Sequence, residues 1–600
     1  MSQTLFSTTS YPLTKLIQDI DLGEIALPEI QRPFVWKTSK VRDLFDSIYK
    51  GFPVGYLLFW NYAPPSGGRQ IGTAKKSNSP RLLIIDGQQR LTSLYAVMKG
   101  APVLTEDFKE KELLISFKPS DSTFEVQSAA TKRDPEFIAN ISTLWQEGTD
   151  LFDFVDDFLG RLEEKREVPQ EEAKQIKKAI QRLNNLSQYH FTALELNEEV
   201  SDEEVAEVFV RINSKGEALN QADFILTLMS VFWPEGRQQI EEFCHSARSP
   251  STSGASPYNH FIEPDPDQLL RATIGLCLRR ARLQYAYSIL RGKDLETGDV
   301  SEERRTDRFD ELQEAQQYVL HLTNWHEYFK ALSHAGFRSG SMVTSDMTLF
   351  YCYLMFLIGK RDFGLSGHAL RTVIGRWFFM CNITGRYTGS SESQMEADLA
   401  RLREAETAAD FIGVLDYNIS NTLTSDFWTI QLPDKLDSSA AYSPTLFAYH
   451  AALNLLDAKA LFSDLKVAEL LDPSVSARKK GVERHHLFPK AYLKAEGVSN
   501  STRRNQIANY AFVEWADNIK IADRSPADYF PEYARRFSDA ELEQMMDWHA
   551  LPEGWEHMDY GDFLDERRQR IAQVTRRGYE RLTDRMERVQ AQYPDTSKAA

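Results

Sequence analysis

The stretch Glu483-Arg484-His485-His486-Leu487-Phe488-Pro489 is the most informative part of this 600-residue chain, and Asn509 and Asn518 follow it. A neutral imidazole can accept a proton from water near neutral pH. A second imidazole and an amide oxygen can hold a divalent cation against a phosphate. Adjacent histidines with two downstream asparagines therefore predict a one-metal phosphodiesterase site.

The spacing of these residues predicts a compact unit of two strands and a helix. His485 and His486 end the first strand, residues 505–514 form the returning strand, and Asn518 starts or precedes a helix. Because adjacent residues on a strand point to opposite faces, the two histidines are expected to have different roles. An isolated His-His pair, by contrast, is ordinarily a solvated or core dipeptide.

The string His485-His486-Leu487-Phe488-Pro489 resembles the His-Asn-His (HNH, His-Me finger) nuclease superfamily, which is built on a ββα-metal core. The resemblance implies that His486 is the general base, that His485 and Asn518 bind Mg²⁺ or Mn²⁺, and that Asn509 orients the base. The sequence departs from the pattern at two of these positions. His485 stands where close relatives usually carry an acid, and Asn518 stands where they carry His, so the identity of the metal stays open.

A second motif lies where an apolar strand over 81–85 meets Asp86-Gly87-Gln88-Gln89-Arg90 and then a helix over 91–99 that Gly100 ends. Gly87 permits close backbone approach, and the N–H groups at the helix start face an anion. Arg90 can fork onto a phosphate. The motif therefore indicates a phosphate site, although a purely structural turn fits the same pattern equally well.

Two companion strings also place Gln, Arg, Asn and Gly at the ends of predicted elements: Pro28-Glu29-Ile30-Gln31-Arg32-Pro33-Phe34-Val35-Trp36 and Val208-Phe209-Val210-Arg211-Ile212-Asn213-Ser214-Lys215-Gly216. The first precedes a predicted helix over 39–50, and the second follows a helix that opens with a capping box at 201–204. The three strings together resemble the N-terminal domain of the GmrS/GmrD-type (GmrSD-type) modification-dependent restriction systems. That domain is a ParB/sulfiredoxin-like module that binds and hydrolyses nucleoside triphosphate.

The resemblance implies that side chains of the three strings contact a bound nucleoside triphosphate, which is ATP, GTP, UTP or CTP. The implied nucleotide-binding residues are Gln31, Arg32, Asp86, Gly87, Gln88, Gln89, Arg90, Arg211 and Asn213. The same family joins this domain to a His-Me finger at the C-terminal end. Because the two motifs occur here in that order, the two resemblances support each other.

The sequence therefore predicts an α+β multidomain chain. Residues 1–235 form a ParB/sulfiredoxin-like α/β domain, residues 236–470 a mostly helical connecting domain, and residues 471–600 an HNH nuclease domain of ββα-metal type with helical additions and a C-terminal basic helix. In the middle region, helices are expected over 269–287, 309–332, 347–359 and 368–382. The string 385–392 (GRYTGSSE) is expected to be a loop that joins helices.

Aromatic residues are dense in the helical middle, and most are expected to lie in the core. A few could instead line a pocket for a flipped or modified base, because an enzyme that inspects a base must stack it against apolar or aromatic walls. These residues include Trp325, Tyr328, Phe350, Tyr351, Tyr353, Phe356, Trp377, Phe378 and Phe379.

The formal net charge of −17 restricts DNA binding to local basic surfaces, because affinity comes mainly from cations that replace counterions on phosphate. Arg503, Arg504 and Lys520, beside the predicted nuclease strand, form one candidate. The C-terminal helix over 563–590 is another, since eight arginines interleave there with apolar residues. Ion pairs with the neighbouring acids are the alternative use of those arginines.

Cysteine spacing and hydropathy indicate the cellular compartment of the protein. The four cysteines have no paired metal spacing, which argues against a zinc cluster and a disulfide framework. No export leader or long apolar run is found, so no membrane partner is expected. We therefore expect a cytoplasmic protein.

These observations predict a nucleotide-regulated, metal-dependent DNA endonuclease of the type IV restriction class that also hydrolyses nucleoside triphosphate. Its partner would be double-stranded phage DNA with hydroxymethyl- or glucosyl-hydroxymethylcytosine, and a homodimer would supply two sites for double-strand cleavage. Two alternatives stay open: an NTP-hydrolysing sensor of modified DNA with weak nicking activity, and a non-enzymatic ParB-like DNA-binding regulator. The paired His and Asn residues argue against the regulator.

Overall fold

A computed structural model divides the chain into two compact units, residues 1–238 and 239–600. The first unit is mixed α/β and the second is mostly helical, in agreement with the predicted α+β class. The structure describes residues 6–28, 34–61, 68–70, 81–105, 109–197, 200, 222, 225–226, 229, 233–290, 292–293, 297, 299, 301–473 and 482–592.

The first unit is built from short strands that alternate with helices. Its strands are β1 (Phe6–Pro12), β2 (Ile25–Pro28), β3 (Leu57–Asn61), β4 (Gly68–Gln70), β5 (Leu82–Asp86), β6 (Val103–Leu104), β7 (Glu110–Lys111), β8 (Ile115–Lys118), β9 (Thr123–Val126) and β10 (His190–Leu196). Its helices are α1 (Leu13–Leu22), α2 (Thr38–Lys50), α3 (Gln88–Lys99), α4 (Ala129–Arg133), α5 (Leu151–Glu163) and α6 (Gln170–Asn184).

A six-stranded mixed sheet with the order β1-β10-β3-β5-β2-β4 organises this unit. β10 runs parallel to β3 and β5 runs parallel to β2, whereas the other neighbours are antiparallel. In β5, Leu82 and Ile84 pack into one apolar cluster and Leu83 and Ile85 into another. Because successive side chains of a strand alternate faces, both faces of β5 are covered, which explains its continuous apolar run.

Two helices of the first unit end where the sequence predicts. α2 ends at Gly51 and α3 at Gly100, both with left-handed backbone, which glycine adopts without a steric penalty. α3 begins earlier than expected, at Gln88 rather than Leu91, so Gln88–Arg90 form its first turn.

In its described residues, the second unit is a helical body that contains a two-stranded sheet. Its elements are α7 (Pro234–Ser246), which begins before the unit boundary, α8 (Pro266–Leu278), α9 (Leu283–Leu290), α10 (Glu302–Leu320), α11 (Leu322–His334), α12 (Asp346–Arg361), α13 (Gly367–Thr384), α14 (Ser391–Arg401), α15 (Ala408–Thr422), α16 (Leu432–Lys435), α17 (Pro444–Leu455), α18 (Val467–Leu470), β11 (Val482–His486), α19 (Lys490–Ala495), α20 (Ser501–Arg504), β12 (Tyr510–Glu514), α21 (Trp515–Ile521), α22 (Pro526–Ala534), α23 (Asp539–Trp548) and α24 (Tyr560–Gln592).

The core of this unit surrounds α12 and α13, which are buried on almost every side. A helix that is apolar all round is expected in the centre of a large domain. All nine aromatic residues of the middle region named above are buried, as the core interpretation predicts. None of the nine has the exposed ring face that stacking on a base requires, so the base-pocket hypothesis is wrong for them.

Two long helices predicted for the middle region are each broken into two. Arg279 adopts a left-handed conformation with φ 52° and ends α8, and an extended residue, His321, separates α10 from α11. Residues 385–390 of the string 385–392 form the expected loop, whereas Ser391 and Glu392 begin α14. Hydrogen bonds connect this loop to α14. Arg386 and the Tyr387 hydroxyl both donate to the buried carboxylate of Asp398.

The C-terminal helix α24 is part of the second unit's core. Gly578 on α24 faces Ala452 on α17 so closely that an added Cβ would lie 2.4 Å from the Cβ of Ala452. Residues 239–600 form one compact unit, and the domain boundary proposed at residue 470 stays a prediction. Within the part of the chain that the structure describes, no helix has the length and apolar character needed to cross a bilayer.

Candidate active site

The antiparallel pair β11–β12 places the two adjacent histidines. His485 pairs with Ala511 and His486 pairs with Tyr510 at the end of β11. The β-pleat directs the two imidazoles to opposite sides of the ribbon, as predicted from their adjacency. They consequently meet different partners: the His485 ring lies edge-on to Tyr529 and the His486 ring edge-on to Tyr510.

His485 is 3% exposed, and its ring is paired with the side chain of Asn518. The Nδ1 atom lies 2.6 Å from Oδ1 of Asn518, which sits on α21. The Nε2 atom is buried and has no hydrogen-bond partner among the described residues. Burial lowers the pKa of His485 to about 4, against a smaller opposing effect of the Asn518 contact, so the ring is neutral at pH 7. The structure thus brings together the two predicted metal ligands.

His486 is half-buried, and its partner is an asparagine that the sequence did not single out. Nε2 of His486 lies 3.1 Å from Oδ1 of Asn505. The Asn505 amide nitrogen donates to the Ser501 carbonyl, which fixes the amide with its oxygen toward the ring. An amide oxygen can only accept, so Nε2 carries the hydrogen and the lone pair is on Nδ1.

The environment of His486 keeps this ring neutral as well. Burial lowers its pKa to about 4, the contact with Asn505 opposes that shift, and the nearby cation Lys490 adds to it. A neutral imidazole with a fixed tautomer has the form that a general base requires. No sequence signal distinguishes Asn505, because its contact with His486 depends on how residues 500–509 fold back.

Asn509, predicted to orient His486, has a different position. It is fully buried, its Oδ1 accepts from the Phe488 N–H at 2.8 Å, and its Nδ2 donates to the Phe488 carbonyl at 2.9 Å. Its own carbonyl accepts from the Leu487 N–H. Asn509 therefore fastens the backbone that follows the histidines, and the amide against the His486 ring belongs to Asn505.

Arg567 of α24 stabilises the backbone on both sides of Asn509 by hydrogen bonds. Its guanidinium is fully buried and donates to the carbonyls of Ala508 at 2.6 Å, Tyr510 at 2.8 Å and His549 at 3.0 Å. Ala508 and Tyr510 flank Asn509. Arg567 therefore fixes the backbone on both sides of Asn509, whose side chain is bonded to Phe488. Burial lowers the pKa of Arg567 to about 10, which leaves it charged at pH 7.

Four other arginines of α24 are held in ion pairs with carboxylates. Arg570 pairs with Glu566, Arg576 with Glu580 and Arg577 with Asp547, each at 2.8–2.9 Å. Arg568 contacts Asp437 at 2.9 Å. For these four arginines, the structure favours the ion-pair interpretation over DNA binding.

The three predicted DNA-binding residues beside the site differ in exposure and in their hydrogen bonds. Arg504 is half-buried and donates to the carbonyls of Val498 and Ser499 at 2.6 and 2.8 Å, so it stabilises a turn. Arg503 and Lys520 are exposed. Among the described residues, no group of three or more His, Cys, Asp or Glu side chains is arranged for a metal. A cation here would rely on His485 and the amide Asn518.

The N-terminal motif forms the strand-turn-helix junction that the sequence predicts. Gly87, at φ 93°, links β5 to α3, and a Cβ on it would lie 2.4 Å from the Leu57 side chain. Arg90 is not a free phosphate fork: it donates to the carbonyls of Val54 at 2.5 Å and Tyr56 at 2.8 Å and lies 3.4 Å from Oδ2 of Asp86. Arg90 thereby fastens the segment before β3 to the first turn of α3.

Residues 13–230 match the family model of the GmrSD restriction endonuclease N-terminal domain. Over 566 residues, the chain is also 23% identical to MJ0686, an uncharacterized protein of Methanocaldococcus jannaschii, and the alignment covers 87% of this chain and 86% of the relative. The family match supports a restriction-endonuclease type of function.

Within the region that matches this family model, the structure joins two of the three predicted strings. Oε1 of Gln89, in the first turn of α3, accepts from the Val35 N–H at 3.0 Å. Both Gln88 and Gln89 are buried. The remaining predicted nucleotide contacts lie outside the described residues: Gln31, Arg32, Arg211 and Asn213.

Proposed function

We propose that this protein is a metal-dependent DNA endonuclease of the modification-dependent, type IV restriction class. The observation that carries the proposal is the pair of neutral imidazoles at the end of β11, each set against a different asparagine oxygen at 2.6 and 3.1 Å. The GmrSD-type match over residues 13–230 supports the restriction class independently.

His486 is the proposed general base. Its Nε2–H donates to Asn505, so Nδ1 carries the lone pair that would take a proton from the attacking water. Asn505 fixes the ring orientation and stabilises the protonated ring that forms. With its pKa lowered to about 4, His486 is almost entirely unprotonated at pH 7. It is therefore in the correct state at the start of each turnover.

His485 and Asn518 are the proposed metal ligands. Nδ1 of His485 and Oδ1 of Asn518 lie 2.6 Å apart and share a hydrogen bond, so Nδ1 carries the ring hydrogen in this structure. A cation held by these two atoms would replace that hydrogen bond, with the ring hydrogen on Nε2 instead. A nitrogen–oxygen donor pair suits Mn²⁺ better than Mg²⁺, since Mg²⁺ prefers oxygen. A bound cation would neutralise charge that develops on the scissile phosphate and the leaving oxygen.

The proposed substrate is phage DNA with hydroxymethylated or glucosylated cytosine, and the proposed regulator is a nucleoside triphosphate at the turn between β5 and α3. The support is the GmrSD-type match, which includes this turn. Because the Arg90 guanidinium already contacts two carbonyls, the first-turn N–H groups of α3 are the better candidates for phosphate binding. Nucleotide there would shift the population of a cleavage-competent arrangement.

Strand cleavage tests the proposal. The purified protein is incubated with unmodified, hydroxymethylated or glucosylated DNA, with Mg²⁺, Mn²⁺ or EDTA, and with or without each nucleoside triphosphate. We expect metal-dependent cutting of modified DNA that is abolished by His486→Ala. His557→Ala is the matched control, because His557 is an exposed histidine outside the site. Nucleotide hydrolysis stimulated by modified DNA without any cutting would favour the sensor function instead.

A further inference from the structure

The helix that carries Asn518 has an exposed apolar face. Trp515 is 37% exposed and Ile519 is 53% exposed, one helical turn apart on α21. Ala516 and Lys520, also one turn apart, are exposed beside them. The opposite side of the helix is anchored, since Asp517 and Ile521 are buried. The exposed residues 515, 516, 519 and 520 therefore form one continuous face, which we call the α21 face.

This face adjoins the candidate metal site. Asn518, whose oxygen lies 2.6 Å from the His485 ring, is in the same short helix. Trp515 precedes Asn518 by three residues, which places the two on neighbouring positions of one side of the helix. A strand that presents its phosphate to His485 and Asn518 consequently passes close to the indole of Trp515.

The exposed cations of the candidate site suit a polyanion: Lys520 lies on the α21 face, whereas Lys490 and Arg503 are chain neighbours of His486 and of its partner Asn505. Lys490, Arg503 and Lys520 are exposed and form no ion pair with a carboxylate within the described part of the chain. Lys490 follows the histidines by four residues and lies close enough to His486 to influence it. The paired arginines of α24 provide the contrast, since their charge is already compensated. Local unpaired cations supply the electrostatic attraction that a chain of net charge −17 lacks overall.

We propose that the α21 face is a DNA-contact surface, in which Trp515 and Ile519 wedge against an unstacked base or its sugar beside the scissile phosphate while Lys520 contacts the backbone. This inference rests on the proposed function and specifies how that site holds its substrate. Apolar side chains that enter a base step kink the duplex, and an aromatic ring can stack on any base without reading its sequence. The DNA is therefore held in a distorted form at the point of attack.

The experiment measures DNA binding separately from cleavage. His486→Ala protein is titrated in Mn²⁺ with a duplex that contains hydroxymethylcytosine and, at a flanking position, the fluorescent base 2-aminopurine. Binding is followed by anisotropy, and unstacking is followed by the rise in 2-aminopurine fluorescence. The same titration is repeated with Trp515→Ala, Trp515→Phe and Tyr417→Ala added to the His486→Ala background.

We expect Trp515→Ala to weaken binding about tenfold or more and to remove the fluorescence rise, whereas Trp515→Phe keeps most of both. Tyr417→Ala, which removes an aromatic residue that is 69% exposed elsewhere in the unit, should change neither. Unchanged affinity and fluorescence in Trp515→Ala would overturn the inference while leaving cleavage by the wild type, and so the proposed function, intact.

Two other outcomes separate the hypotheses. Wild-type protein that binds the duplex through Trp515 but never cuts it would support the α21 face and overturn the endonuclease proposal. Analytical ultracentrifugation of the DNA-free protein measures its oligomeric state and so tests whether the α21 face binds a second copy of the chain. A dimer that dissociates in Trp515→Ala would show that the face joins two copies and would overturn its assignment to DNA.

Discussion

The amide oxygen of Asn505 lies 3.1 Å from Nε2 of His486 and is held there by a hydrogen bond from the same amide to Ser501. This contact fixes which ring nitrogen of the proposed base is free to accept a proton. Asn509, four residues further along, is instead bonded to the backbone of Phe488 on both sides of its amide. The motif assigns orientation of the base to Asn509, but in the structure Asn505 contacts the His486 ring and Asn509 holds the backbone of Phe488.

Asn505→Ala should lower kcat for DNA cleavage about 10- to 100-fold, because the ring of His486 loses the acceptor that orients it. Affinity for DNA, measured by anisotropy without metal, should stay the same. Asn505→Asp keeps an acceptor oxygen and should retain more activity than Asn505→Ala. Equal kcat for Asn505→Ala and the wild type would remove Asn505 from the site.

Asn509→Ala should act on stability. The substitution leaves a buried N–H and a buried C=O of Phe488 without their partners, at a position that is itself fully buried. We expect the free energy of unfolding to fall by about 2–4 kcal/mol. Urea denaturation followed by circular dichroism measures the change. A stable Asn509→Ala protein that has lost only its cleavage activity would restore the orienting role first predicted for this residue.

Asn518→Asp should strengthen Mn²⁺ binding about tenfold, since a carboxylate replaces a neutral amide oxygen beside His485. Asn518→Ala should weaken it. Isothermal titration calorimetry without DNA gives both affinities. Asn421→Asp introduces the same charge at an exposed site on α15 and serves as the control. If the three variants and the wild type bind Mn²⁺ alike, the metal is not held by Asn518.

Arg567→Met should destabilise the second unit by about 3–5 kcal/mol, because it leaves the buried carbonyls of Ala508, Tyr510 and His549 without donors. Arg568→Met, at the next residue, removes ion pairs to the exposed Asp437 and Asp565 and should cost about 0–1 kcal/mol. Chemical denaturation of the two variants in parallel makes the comparison. Similar losses in both would mean that the buried guanidinium has no special structural role.

Acid should destabilise the protein between pH 6.5 and 4, partly through His549. This side chain is fully buried and donates to the Lys459 carbonyl, and burial lowers its pKa from 6.5 to about 4. In that pH range the unfolded chain binds the extra proton and the folded chain does not, so stability falls as the pH falls. The expected contribution of one such histidine is about 3 kcal/mol at pH 4 and is absent above pH 7.

His549→Gln is the test of that contribution. Glutamine keeps an N–H donor for the Lys459 carbonyl but cannot take up a proton. The variant should therefore lose less stability than the wild type when the pH is lowered from 7 to 4.5, as measured by urea midpoints at each pH. If the stability of the two proteins falls equally with pH, protonation of His549 does not contribute to the acid destabilisation.

Local sequence predicted several elements of the fold closely. Period, length and caps, which are properties of neighbouring residues, account for the apolar run of β5, the glycines that end α2 and α3, and the largely apolar helices α12 and α13. The breaks between α8 and α9 and between α10 and α11 were missed. Apolar periodicity continues through both breaks, so only the packing of the separated helices distinguishes them.

The candidate site shows the same division. The sequence by itself determined that two adjacent histidines end a strand, face opposite sides of it and are followed by a second strand and a helix near Asn518, because strand alternation and element order are local. The helix begins at Trp515, so Asn518 lies within it rather than at its start. Tertiary structure alone decided that Asn505 meets His486, that Asn509 holds Phe488 and that Arg567 is buried beneath them. These contacts join residues 19 to 59 positions apart, and their formation depends on how the intervening turns and helices pack, which no spacing in the sequence specifies.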